Sequence, residues 1–246
     1  MSFARSLTIA GVAIFLILLL ARLPAALITA VLPPSVSVSS LQGSFWRGSA
    51  GYAQVQLQGK WFALGRVSWR IKPLGLVVGD AIEVKSDWGK QSIAAAAGAS
   101  VNGDIHLSDV ALTTRVDWIR DLIPLYIAGE LKLTIVDAEI SADGVPSRAE
   151  GRIVWENAAW QAQGGDVSLG TYAIDLTTGA NGISGDIVTL KGALELSGQF
   201  NLDGNRYAVK ADLSGPAVRN EAFQQAIALM AVPTGSGYRI DLSGTL

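Results

Sequence analysis

Gln54-Val55-Gln56-Leu57-Gln58 decides the fold class: glutamine and aliphatic residues alternate without a break, the period of an extended strand with one wet and one dry face. The same alternation places Val67, Trp69 and Ile71 against Ser68, Arg70 and Lys72, and Leu131, Leu133 and Ile135 against Lys132 and Thr134. It returns at Leu194 and Leu196, at Phe200 and Leu202, and at Tyr207, Val209, Ala211 and Leu213, which follow a hairpin-type turn at Asp203-Gly204-Asn205. Ile240 and Leu242 make a final strand. Short strands joined by turns such as Asn102-Gly103 and Asp143-Gly144 predict an all-β body. It reads as a long curved antiparallel β-sheet or a β-sandwich-like meander, with one or two short covering helices. The dry face must be hidden by curling, by a second sheet, or by a ligand in an apolar groove.

Two short segments have helical spacing. Asn220 to Ala231 sets Phe223, Ile227, Met230 and Ala231 on one side and Gln224 and Gln225 on the other, between Pro216 and Pro233, and reads as a cap over one edge or end of the sheet. Val116 to Leu122, stopped by Pro124, reads as a second helical turn. An internal echo relates Gly65-Arg66-Val67-Ser68-Trp69 to Gly151-Arg152-Ile153-Val154-Trp155, and Asn102-Gly103-Asp104-Ile105 to Ser184-Gly185-Asp186-Ile187. A duplicated β unit, about 40–130 and 131–246, and chance recurrence of glycine-led strand starts both account for it.

The N-terminus is of another kind. No charge lies between Ser6 and Ala21, and Leu7, Ile14, Phe15, Leu16, Leu18, Leu19, Leu20 and Leu23 supply an apolar stretch bracketed by Arg5 and Arg22. A bilayer crossing needs about 20 such residues. A helix from about Leu7 to about Ile28 would reach, with Arg22 snorkelling from its last turns, Pro24 near the interface, and Pro33 and Pro34 closing the segment. A cleaved signal peptide is the competing reading, although Ile28 and Ala30 make a poor cleavage pair. The expected organisation is therefore an anchor over 1–34, held by membrane lipid, and an exported β domain over 35–246, with the amino terminus cytoplasmic.

Composition narrows the function. Hydrophobic residues make up 50% of the chain and charged residues 16%, a balance that builds a core and not a disordered tail. The net charge of −2 has no basic run, so nucleic acid finds no electrostatic footprint. Cysteine is absent, which excludes disulfides and thiolate metal sites. His106 is the only histidine, and no metal or other cofactor is expected. Gly235-Ser236-Gly237 leads into a strand and not a helix, which removes a phosphate cradle. Glu83, Asp104, Asp109, Asp175 and Asp186 fall on wet strand faces with no acid–base spacing, so no enzyme is expected. Trp46, Trp61, Trp69 and Trp88 crowd the region behind the anchor, either as core filling or as an interfacial belt.

One family shares this order of features. Gly43, Trp46, Gly48 and Ala50 in the pattern Gly-x-x-Trp-x-Gly-x-Ala, then Trp69 to Pro73 as Trp-Arg-Ile-Lys-Pro, resemble the type II secretion system protein N family. Pro124, Gly129, Leu131 and Leu133, the Gly151 to Trp155 strand, and the closing Tyr238 to Gly244 segment continue the resemblance over nearly the whole chain. Val232 and Pro233 depart from it, standing where a glycine is expected after the late helix. The resemblance implies a single-span inner-membrane protein of a Gram-negative bacterium with a periplasmic body. Its task would be accessory and non-catalytic, in machinery that exports folded proteins across the outer membrane. Its partners would be other secretion proteins at the inner-membrane platform. The residues alone also suit a second function, a periplasmic lipid-binding or lipid-transfer module with an apolar β groove.

Overall fold

The computed structural model describes residues 2–57, 59–73, 75, 81–100, 102–116, 126–162, 165–228 and 230–245. Helix α1 spans Ser2–Ala21, and a 3₁₀ helix follows at Ala25–Ala30. Twelve strands then run in chain order: β1 Val36–Gly43, β2 Arg47–Leu57, β3 Lys60–Ile71, β4 Ile82–Trp88, β5 Gln91–Ala99 and β6 Ile105–Arg115, then β7 Ile127–Ile140, β8 Pro146–Ala162, β9 Gly165–Gly179, β10 Gly182–Gly192, β11 Glu195–Asp203 and β12 Arg206–Ser214. A 3₁₀ turn at Pro216–Arg219, helix α2 at Glu221–Ile227, and strands β13 Ala231–Pro233 and β14 Tyr238–Thr245 complete the chain.

All fourteen strands belong to one antiparallel sheet in the order β1 to β12, then β14, then β13. The sandwich alternative is thereby set aside. Each strand from β1 to β12 pairs with its chain neighbours through hairpins, among them the two-residue Gly204-Asn205 turn closed by Asp203 opposite Arg206. The β1 and β13 ends do not pair with each other, so the sheet is open.

Register explains why such a long meander holds one face dry. Residues directly opposite in a ladder point to the same side. One row can be followed through every strand: Leu41, Ala50, Val67, Ser86, Ile93, Leu112, Leu133, Ile153, Ile174, Ile187, Gly198, Ala211, Ile240 and Ala231. Its one polar member, Ser86, is 2% exposed and donates its hydroxyl to the Leu64 carbonyl. A slip of one residue anywhere would turn the row to water, so the apolar stripe fixes the register.

Three clusters bury this face. At the N-terminal end the 3₁₀ helix lays Ala25 and Ile28 over Ala50, Trp69 and Ile71. At the other end α2 and the preceding turn place Phe223, Ile227, Ala217 and Val218 over Tyr172, Leu194 and Leu213. Between them Ile135, Leu176, Ile183 and Leu202 pack with strand residues alone, among those described. α2 starts where expected: Asn220 caps it, its side-chain oxygen accepting from the Phe223 amide at 3.1 Å. It ends earlier than its spacing suggested, because Ala231 to Pro233 leave it to form β13. The departure at Val232 and Pro233 is thus a short edge strand, where proline is tolerated.

The N-terminal segment also differs from expectation. The helix stops at Ala21 and does not continue to Ile28. Pro24, extended at φ −69° and ψ 150° and bridged to Ser44, breaks it, and residues 25–30 belong to the packed body. Of the helical turn read over 116–122, only Val116 is described; the rest, with Pro124, lies outside the described residues, as does Gln58. The first internal echo falls within β3 and β8, whereas the second compares the turn before β6 with the interior of β10. Only the first echo thus matches like positions, strand with strand.

Candidate functional site

The residues of the glycine and tryptophan pattern, dispersed in sequence, assemble at two places. The first is the corner where β1, β2 and β3 meet the end of α1. Gly43 ends β1 in a left-handed conformation, φ 86°, and a side chain there would meet the Arg47 carbonyl at 2.6 Å. A Cβ on Gly48 would lie 2.5 Å from the Trp69 ring, its register partner, so glycine makes the slot that the indole fills. Ala50 is wholly buried beside it. Trp69 donates its ring N–H to the Phe45 carbonyl at 2.9 Å, and Trp46 donates to the Leu20 carbonyl of α1 at 2.7 Å. The Phe45 amide donates to the Leu23 carbonyl at 2.8 Å, so the β1–β2 turn holds the base of α1. Pro73 lies just beyond β3.

The second place is the β7–β8 ladder. Gly129 again makes room for an indole: a Cβ there would come 2.6 Å from the ring nitrogen of Trp155, which donates to the Ala128 carbonyl at 3.1 Å. Gly151 lies in β8 against the Thr134 carbonyl, with no space for a side chain. Tyr238 packs on the cluster beneath α2, and Gly244 clears the Tyr207 ring. These residues do not converge on one cleft. They are close-approach points that let large rings cross neighbouring strands.

Core filling explains only part of the tryptophan crowding. Trp69 is 8% exposed, but Trp61 and Trp88 are 46% and 52% exposed. Trp88 stacks edge-on against Tyr52 with centroids 5.7 Å apart.

The wet face holds its charges in cross-strand pairs. Arg152 grips Asp175 through both ends of its guanidinium, Nη2 to Oδ2 at 2.7 Å, and Arg239 Nε donates to Asp212 at 2.7 Å. Lys132 lies 2.7 Å from Glu156, and Lys72 lies 2.6 Å from Glu83, which Arg70 also approaches at 3.4 Å. His106 and Arg148 share Asp137, at 3.3 and 3.4 Å. Lys72, donating to Glu83, holds that carboxyl below its usual range, and Arg152 does the same to Asp175. Glu156 raises Lys132 in return. Asp104 accepts from the Ala142 amide, and Asp186 accepts from Gln199. Asp109 occupies an unpaired bulge with φ 50°. Of these carboxylates the structure brings two together: Asp175 and Asp186 are register partners on the open face of β9 and β10, where Arg152 holds the first and Gln199 donates to the second. Among the described residues, no three histidine or acidic groups are placed to hold a metal ion.

Apolar side chains and unpaired backbone are also open to a partner. Along α1, Ile14, Phe15, Leu16, Leu18, Leu19 and Leu20 are each 50% exposed or more, while the side chain of Leu7 is not described and Leu23 is half-buried. Among the described residues no helix is long and apolar enough to cross a membrane; the side chains of α1 are described only from Val12 onward, Ala13 excepted. At the far end of the sheet β13 covers only part of β14, and Asp241 to Thr245 pair with β12 alone. The apolar residues of α1 were singled out by the sequence, whereas the exposed edge of β14 was not, because it carries no distinctive side-chain type.

A family model described as type II secretion system (T2SS), protein N matches residues 34–241. No curated protein and no solved structure matches the chain. The match begins where the chain enters the sheet and ends within β14. The chain belongs to the type II secretion system protein N family.

Proposed function

We propose that this protein is a non-catalytic accessory component of a type II secretion system, held at the inner membrane of a Gram-negative bacterium by α1, with its sheet in the periplasm. The observation that carries this reading is the family match over nearly the whole sheet. The exposed apolar side chains of α1 support the tether, because a run of uncovered leucine and isoleucine side chains is stable in hydrocarbon and not in water. The paired charges of the wet face support a role without chemistry, since they leave no acid, base or nucleophile poised over a cleft.

Its partners are other proteins of the secretion platform, met through strand edges. An edge offers a row of unpaired backbone groups to which a neighbouring strand can add, and the uncovered stretch Asp241 to Thr245 of β14 is such an edge. The test is secretion of exoproteins from cells carrying variants of the full chain. Proline at Ser243, whose N–H points away from β12 because the Asp203–Arg206 closing pair makes Val209 and Leu242 a bonded pair of the ladder, should depress secretion while the protein remains folded. Lys210→Ala, which removes one exposed charge, should leave secretion unchanged. Loss of secretion on changing a single exposed polar side chain in a folded protein would contradict the edge reading.

A further inference from the structure

Beneath the 3₁₀ helix Ala25–Ala30 the sheet keeps an unfilled space of about 570 Å³. Its fourteen lining residues, from the 3₁₀ helix and the residues after it, the β1–β2 turn and strands β1 to β4, are all apolar. The two groups that could have recognised a polar ligand are engaged elsewhere: Trp46 donates its ring N–H to Leu20 and Trp69 donates to Phe45. An occupant can thus be neither charged nor hydrogen-bonding over the part that enters. A space of this size is many times what a single water needs and accommodates an alkyl chain.

Position selects the source of such a chain. Ile28, Val31 and Leu32 of the lining follow directly on α1, and Val31 is 65% exposed at the rim. The turn carrying Phe45 and Trp46 is hydrogen-bonded to Leu23 and Leu20, which fixes the cavity to the base of the helix. Arg22 stands at that junction, exposed and without a carboxylate partner among the described residues. A guanidinium there complements a lipid phosphate.

We propose that this cavity is a lipid site: it takes one acyl tail of a membrane phospholipid, with the phosphate beside Arg22, so that a bound lipid completes the N-terminal core of the sheet. The site rests on the reading of α1 as the membrane tether, which brings the rim to the bilayer surface.

The full-length chain in vesicles of phosphatidylethanolamine and phosphatidylglycerol tests it, with a trace of phosphatidylethanolamine carrying a diazirine at the end of its palmitoyl tail. After irradiation, mass spectrometry maps the labelled peptides. The expected result is label on α1 and also on the β3 and β4 peptides that contain Val67 and Val84. Val84→Trp, which fills the cavity, should lower the β3 and β4 label about tenfold, the mark of a decade in affinity, while α1 stays labelled. Label confined to α1 would overturn the lipid site and leave the tether standing. Absence of label from α1 as well would overturn the tether and the site together. Undiminished label on β3 and β4 in Val84→Trp would show surface contact and also overturn the site. If the tryptophan variant fails to fold, the labelled residues of the unaltered chain decide the matter: label on Val67 and Val84 of the lining is expected, and label on their outward neighbours Arg66 and Lys85 instead would overturn the site.

Discussion

The glycines of the family pattern act at the residue scale as voids shaped for rings. Gly48 should not tolerate a side chain, because its Cβ would lie 2.5 Å from the Trp69 indole at a buried corner. Gly48→Val should lower stability by about 1–3 kcal/mol, the usual cost of overpacking, read as a fall in melting temperature followed by tryptophan fluorescence. Asn157 behaves differently: it is an unpaired bulge residue in β8 at φ 49°, a conformation asparagine accepts and β-branched residues resist. Asn157→Gly should be nearly neutral, and Asn157→Val should cost about 1–2 kcal/mol by the same measurement. The sequence displayed these glycines as punctuation only. Their purpose was hidden because Gly48 and Trp69, or Gly129 and Trp155, become neighbours only once the register is set.

The paired charges give stability a definite pH dependence, also set residue by residue. Glu83 and Asp175 have lowered folded-state pKa values, so their contribution is complete above the ordinary carboxylate range and is lost as pH falls through those lowered values. Lys132 is raised, so its contribution is complete below the ordinary lysine value and is lost as pH climbs through the raised one. Burial pushes the Tyr172 phenol up to about 12, so the unfolded chain loses that proton first and stability falls as the solution becomes strongly alkaline. The melting temperature should therefore hold level between about pH 5 and 10 and fall on either side. Asp175→Asn should flatten part of the acid limb and leave the alkaline limb in place.

Elements differ in how much of themselves they announce. Strands β3, β7 and β12 were legible because one face is wet and their alternation is clean, as at Val67 to Ile71 and Tyr207 to Ser214. Strand β5, Gln91–Ala99, hides its period in a run of alanines, and β8 and β9 run to 17 and 15 residues, with bulges that shift the alternation. The break at Pro24 was underestimated because residues 25–30 are as apolar as the end of α1; only their packing on Ala50 and Trp69 separates them from it. Helix α2 is the chief cover of the C-terminal core. Phe223→Ala should cost about 3–5 kcal/mol, since the ring is 3% exposed and leaves a cavity. Asn220→Ala should cost about 1 kcal/mol through loss of the cap. Both are read from the shift in the thermal midpoint of the full chain, and equal effects from the two would contradict the assignment of Phe223 to the core.

The whole molecule is a single open sheet with one apolar row running from edge to edge, a helix at one end and strand edges left for neighbours. Fold class and family were within reach of the sequence because period, turns and the order of glycines and tryptophans survive without knowledge of contacts. The openness of the sheet and the cavity below the 3₁₀ helix were not, since both depend on which strands meet and on what covers them. On the function proposed above, a sheet of this kind serves by offering its edges to other proteins at a membrane. That central claim is tested most directly by mass spectrometry of the proteins that co-purify with the full-length chain, gently extracted from its native membrane. Type II secretion platform proteins in near-stoichiometric amounts are the predicted result. Recovery of the intact chain with no secretion protein bound above background would contradict the account.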